Sequence, residues 1–248
     1  LRLFNQQAEE VGEAEVGAAR VERADDAAGE DELILAKAFD DGVDVVVDAV
    51  LDDWDLSGQI WLFGDEHTRD RAGVKVAAMY DAEAFYIAGT WRDATPMLNR
   101  LAHRPQNSDC MTLYMQTDTP WNIAMVYDSI AEQPLLSLLS PTAGLTITDA
   151  LKKDAELAFR KDPDGKGYVH ELKLPWRLLF RGEIRSTPGT QFRLAIEPTW
   201  GGGAGLSGFH KTWFGDVLSP AYERGHYRFR SDPSVWGTCV LEPTGNLE

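Results

Sequence analysis

From Leu33 onward the chain is a run of short apolar segments cut at close intervals by Gly, Pro, Asn and Asp. That rhythm constrains the fold most. Runs of four to eight residues with period-two alternation read as strands, and the absence of helical segments between them rules against a parallel sheet built from strand–helix–strand units. Leu33–Phe39 (LILAKAF) is one such run. Val43–Val50 is a second, with Val43, Val45 and Val47 alternating against Asp44 and Asp48. Gly73–Tyr80 and Ala84–Trp91, joined by Asp81-Ala82-Glu83, form the clearest hairpin. Further strands are expected at Cys110–Gln116, Ile123–Tyr127, Ala155–Arg160, Tyr168–Leu174, Gln191–Glu197, His210–Phe214 and Gly237–Glu242. A strong turn, DPDGKG, lies between the Ala155 and Tyr168 strands, and Pro175 opens a helical turn. The expectation is an all-β chain: a two-sheet antiparallel β-sandwich, jelly-roll-like, with minor short helices.

Before that domain, residues 1–32 are rich in Ala, Glu, Gly and Val, with few large apolar residues. They read as an acidic arm or linker, and residues 33–248 as the folded domain. Leu3, Phe4 and Val11 could dock the arm on a partner, which would make the chain a subunit of a larger complex. The chain opens on Leu1 with no leader in view, as a processed or partial chain would. No stretch has the ~18 apolar residues needed to span a bilayer.

Charge narrows the function. There are 24 Lys+Arg against 40 Asp+Glu, a net charge of −16. Such a surface repels nucleic-acid phosphates and anionic lipid. The two cysteines, Cys110 and Cys239, lie far apart in sequence and match no zinc or c-type haem spacing. One long-range disulfide and two buried thiols both remain open.

Several segments, taken in order, resemble a known family: Asp53-Trp54 in DDWDLSG; Tyr80-Asp81, Phe85-Tyr86-Ile87 and Asp93 in the hairpin; Gly167-Tyr168, Glu171 and Leu174-Pro175-Trp176 in GYVHELKLPW; then TWGGG and VWGTCVLEPTGNL. This set is similar to the family 9 carbohydrate-binding modules and the wider DOMON-like superfamily, over roughly Val43 to Leu247. The resemblance implies a sandwich that binds sugar in a Trp-lined cleft, sometimes with bound calcium, in an extracytoplasmic setting, periplasmic or secreted. It also implies an alternative, because a related branch carries b-type haem as an electron-transfer subunit. The stretch between Met97 and Trp121 is shorter than in the family, so the usual ligand-facing strand is in question.

Aromatic rings with nearby polar groups suit sugars, whose C–H faces pack on rings while their hydroxyls take hydrogen bonds. Trp91 with Arg92 and Asp93, Trp121 with Asn122, and Trp200 and Trp213 around the Gly-rich loop are the candidates for ligand binding. The competing reading is core packing, and it is taken for Trp54, Trp176 and Trp236; Trp61 is left unassigned. Asp162 and Asp164 are candidate calcium ligands, set against solvated turn residues, since no EF-hand spacing is present. For haem, the axial candidates are Met115 with Lys211 or His210, from a wider set of Met79, Met97, Met111, Met125, His103 and His226. No catalytic motif occurs, so the chain reads as a binding protein rather than an enzyme. A third reading is a structural or interaction subunit that has lost its ligand.

Overall fold

The computed structural model describes residues 22–23, 33–39, 45–63, 67, 69–94, 96, 108–118, 120–138, 145–180, 186–201, 207–210 and 232–243. The strands, in order, are β1 (Glu22–Arg23), β2 (Leu33–Ala38), β3 (Ile60–Phe63), β4 (Ala72–Tyr80), β5 (Ala84–Asp93), β6 (Cys110–Gln116), β7 (Pro120–Asp128) and β8 (Gln133–Leu138). They continue with β9 (Glu156–Lys161), β10 (Gly167–Pro175), β11 (Gln191–Gly201), β12 (Ser207–His210) and β13 (Gly237–Glu242). Helix α1 (Leu145–Asp154) precedes β9, and the single turn α2 (Trp176–Leu179) follows β10. The fold is all-β, as the strand rhythm requires.

One continuous sheet runs β8-β7-β6-β11-β13-β2-β4-β5-β10-β9, with β3 and β1 beside β4 and β12 beside β11. It folds back on itself, so that its two end strands, β8 and β9, come together. Two layers result, with one core between them. The inner faces are set by period-two alternation. On β4, Val74, Val76, Ala78 and Tyr80 are core residues, and on β5 Phe85, Ile87 and Trp91. They meet Met111, Leu113 and Met115 of β6, Trp121, Ile123 and Met125 of β7, and Leu194, Ile196 and Trp200 of β11. The sheet is mixed rather than wholly antiparallel, because β2 pairs in parallel with both β13 and β4.

Several local expectations are corrected. Described residues 45–50 form an irregular segment, not a strand. Their amides bond to carboxylates: Asp48 N and Ala49 N donate to Glu171 Oε2 at 3.1 and 3.0 Å, and Val46 N donates to Asp53 Oδ2 at 3.4 Å. Ala49 takes a positive φ of 61°, which strand pairing does not allow. Val45, Val47 and Leu51 instead pack on a second apolar cluster of Phe39, Trp54, Met79 and Tyr86, on the outer face of the β4–β5–β10 layer. Of the late strand expected at His210–Phe214, only His210 is described, as the last residue of β12 (Ser207–His210); residues 211–214 lie outside the described residues. Helix α1 and strands β3 and β8 were not expected.

Cys110 and Cys239 are both buried free thiols. Cys110 lies opposite Thr199 and Cys239 opposite Phe192 on the shared neighbour β11. Seven residues of strand separate those positions, about 23 Å at ~3.3 Å per residue. A disulfide needs Cα atoms about 4.4–6.8 Å apart, so the pair stays open.

Candidate functional site

The seam where β8 meets β9 holds a cleft. Its walls are Met125, Val126, Tyr127 and Pro134 on one side and Leu157, Ala158 and Phe159 on the other, with Trp91, Asp109, Tyr168 and His170 further in. At the mouth, the rings of Tyr127 and Phe159 stack with centroids 4.3 Å apart and planes 24° from parallel. Both are half-buried. The Lys161 ammonium stands 5.5 Å from the Tyr127 ring centre.

From the mouth a file of rings leads inward. Phe159 meets Tyr168 at 4.8 Å, Tyr168 stacks on Trp91 at 5.1 Å, and Trp91 meets Trp200 edge-on at 5.3 Å. Register explains the file: β10 pairs Tyr168 with Trp91 of β5, and both point to the inner face. The arrangement fixes the mouth rings by packing them on an ordered base.

His170 forms the floor. Its β5 partner is Gly89, where a Cβ would come within 2.7 Å of the imidazole Nε2 and 3.0 Å of the Met111 methyl. Glycine is therefore required for the ring to lie there. Trp91 Nε1 donates to His170 Nδ1 at 2.9 Å. An indole N–H can only donate, so the imidazole proton sits on Nε2. That N–H has no partner among the described residues, although His170 is only 4% exposed. Burial depresses the His170 pKa to about 3, so the ring stays neutral and the donor is permanent at ordinary pH. Beside it, Asp109 accepts from Gly201 N at 2.8 Å and is hydrogen-bonded to Tyr168, whose pKa is raised chiefly by burial and then by Asp109. The enclosed part of the cleft is about 10 Å³, room for roughly one water molecule or one hydroxyl group.

The structure separates the expected site residues. Trp91 and Trp200 come together, buried behind the mouth at 0% and 5% exposure. Neither faces solvent, so the expectation of exposed Trp platforms is corrected for both. Trp121 is also buried, elsewhere in the core, where its Nε1 donates to Thr117 Oγ1 at 3.2 Å; Asn122 is half-buried beside it on β7. Asp93 is buried at the end of β5. Arg92 points the other way, to the outer face, where it binds Asp162 at 3.1 Å and Asp164 at 3.3 Å. Its guanidinium already supplies the positive charge that a calcium ion would bring to those carboxylates, and the pair does not fit a calcium site.

Met115 is fully buried in the main core, in register with Trp121 and Leu194, and does not fit a haem ligand beside a porphyrin slot. Met111 and Met125 face the cleft, but its enclosed space is far below porphyrin size. Met79 sits on the outer cluster, its sulfur accepting from Asp55 N at 3.1 Å. His210 lies on β12, its side chain outside the described part; Lys211, Trp213, Met97, His103 and His226 fall outside the described residues.

Tyr127, Phe159 and His170 were missed. For His170 a signal existed: a titratable residue between Tyr168 and Leu172 on the strand face that is opposite Glu171 and Lys173. For Tyr127 and Phe159 there was none, because their stacking depends on the sheet folding back until its end strands meet.

No family model matches the chain, and no curated protein matches it. Solved structures do. A family 9 carbohydrate-binding module from Caldicellulosiruptor kristjanssonii in complex with cellotriose aligns with a TM-score of 0.59 at 14% identity, over 87% of this chain and 96% of that one. The family 9 module from the same organism in complex with glucose gives 0.58 at 13% identity, over 88% and 99%. The chain has the fold of the family 9 carbohydrate-binding modules. No described helix is long and apolar enough to cross a membrane.

Proposed function

We propose that this chain is a non-catalytic, extracytoplasmic glycan-binding domain whose ligand lies in the mouth of the β8–β9 seam. One observation carries the reading: a half-buried stack of Tyr127 on Phe159 roofs a cleft whose floor is the unpartnered N–H of His170. A sugar offers a C–H face to the rings and a hydroxyl oxygen to the donor. The enclosed space is too small for a pyranose. The sugar ring therefore stays on Tyr127, Phe159 and Lys161, and a single hydroxyl reaches inward. Trp91 and Trp200 take part as the packed base of the ring file. The fold supports the reading, since structurally similar modules are solved with cellotriose and glucose. Among the described residues, Asp109 is the one carboxylate lining the cleft, whereas glycoside hydrolysis uses two facing each other.

The test is titration with neutral oligosaccharides chosen from a glycan array, followed by calorimetry. Tyr127→Ala and Phe159→Ala should each weaken binding by about tenfold, the equivalent of ~1.4 kcal/mol of lost ring contact. An array with no neutral glycan bound, or affinities untouched by both substitutions, would overturn the assignment.

A further inference from the structure

The outer face of the same layer carries a different chemistry. Register places Trp61 (β3), Lys75 (β4), Thr90 (β5), Val169 (β10) and Arg160 (β9) side by side in one row across the sheet. Alternation points this row away from the core, since the neighbours Val74, Val76 and Trp91 point inward. Lys75 and Arg160 are exposed, Trp61 and Thr90 are half-buried, and Val169, between Thr90 and Arg160, is buried. Lys75 Nζ lies 4.8 Å and Arg69 Cζ 4.9 Å from the Trp61 ring centre. The ring thus holds two cations in place without neutralising either. Gly73 makes this packing possible, because a Cβ there would come within 2.4 Å of the Arg69 carbonyl oxygen and 2.7 Å of Trp61 Nε1.

Counter-charges are unevenly shared. Arg92 is taken up by Asp162 and Asp164, and Arg69 has Asp70 at 3.8 Å. Lys75 has no carboxylate partner among the described residues, and Arg160 spends its Nε on the Ala49 carbonyl at 3.0 Å. In a chain of net charge −16, Lys75 and Arg160 are two exposed cations that share one row of this face with no carboxylate partner among the described residues. Lys75 and Arg160 are three strand spacings apart, about 14 Å at ~4.8 Å per strand.

We propose that this outer face is a second binding surface, for an acidic polysaccharide whose repeated anionic groups pair with Lys75 and Arg160 along the row. The charge pattern selects the ligand class. A short anion would meet only one cation, whereas a chain with anions at intervals meets both and gains from the linkage between them. Thr90 lies between them as a hydrogen-bonding group for a sugar hydroxyl. The row is on the opposite face from the β8–β9 cleft, so each site can fail without the other. Carboxylate and sulfate both supply the needed charge, and the test separates them.

The experiment is affinity electrophoresis of the whole chain through gels containing polygalacturonate, dextran sulfate or neutral dextran. Retardation is expected in one or both anionic gels and not in dextran. It should weaken about tenfold in the Lys75→Gln/Arg160→Gln variant and fade as salt approaches ~0.15 M. Both side chains are exposed, and an unchanged melting temperature confirms that the variant is folded. Lys152→Gln/Lys153→Gln, on the exposed side of α1, is the control and should bind as the parent does. Three results would overturn the proposal: no anionic gel retards the parent; the Lys75/Arg160 variant is retarded equally; or the control loses as much as that variant. Concentration-dependent sedimentation that disappears in Lys75→Gln would overturn it too, and would give the face to a second copy of the chain.

Discussion

The two faces of the β4–β5–β10 layer are built from the same strands, one residue out of phase, and they solve different problems. On the inner face Trp91, Tyr168 and His170 are packed into a ring file in which the His170 Nε2–H has no partner among the described residues. On the outer face Glu171 is equally buried but fully used. It accepts from Asp48 N and Ala49 N, and its other oxygen accepts from Trp54 Nε1 at 3.2 Å. A buried polar group that is satisfied holds structure together, while one left over marks a place where a ligand atom can enter. His170 and Glu171 are adjacent in sequence, and the strand pleat alone sends one to the cleft and the other to the clamp.

The sharpest break of that contrast is on the inner face. Trp91→Ala removes a fully buried ring that touches Tyr168 and Trp200 and donates to His170. A loss of about 3–5 kcal/mol is expected from chemical denaturation. A loss below ~1 kcal/mol would show that the file is not the organising element of the seam.

Next comes the outer clamp. Glu171→Ala strands the amides of Asp48 and Ala49 and the Trp54 indole, and should cost about 2–4 kcal/mol. The damage should be local, with hydrogen exchange accelerating first over residues 45–54 while the β6–β7 hairpin keeps its protection. Equal acceleration in both places would mean that the outer cluster and the main core unfold together. The Glu171 pKa is raised, first by burial, and the bonds it accepts from Ala49 N, Trp54 Nε1 and Asp48 N act against that shift.

These two residues also show what could be read in advance. The β4–β5 hairpin was legible because every determinant is local: alternating apolar residues, and a turn in which Asp81 Oδ1 accepts from Glu83 N and Ala84 N at 2.7 Å. Residues 45–50 carry the same alternation and still do not form a strand, because the amides of Asp48 and Ala49 are taken by Glu171, more than a hundred residues away, and that of Val46 by Asp53. Helix α1, LTITDALKKD, hid behind the β-branched residues of its first turn. In the site, the aromatic count was informative but the choice of rings was not. Trp91, Trp121 and Trp200 turned out to be core, and the half-buried pair at the cleft mouth comes from separate strands joined only by closure of the sheet.

A smaller effect separates His170 from its neighbour by pH. Its pKa is about 3 in the fold, against about 6.5 in an open chain, because burial disfavours the charged ring. The unfolded chain therefore takes up a proton on this residue between those values and the folded chain does not. The stability contributed is complete above pH ~6.5 and is lost as pH falls toward 3, with a slope of up to ~1.4 kcal/mol per pH unit. His170→Gln should flatten that part of the stability curve relative to the parent. Parallel curves from pH 7 to pH 4 would show that the ring becomes charged in the folded state, and the fixed Nε2–H donor would then be abandoned.

The smallest effect expected lies at the outer edge. Arg92 binds two carboxylates, but about half of its side chain is open to water, and solvent screens such pairs. Arg92→Gln should cost less than ~1 kcal/mol in low salt and nothing measurable at ~0.5 M salt. Its consequence for charge is the larger one. Freed from Arg92, Asp162 and Asp164 add negative potential beside the Lys75–Arg160 row, so retardation by an acidic polysaccharide should fall even though Arg92 itself is already paired. Unchanged stability with unchanged retardation would confine the row's field to its own two cations. A drop in retardation at constant stability would show that the outer face is tuned by charge while the inner face is held by packing.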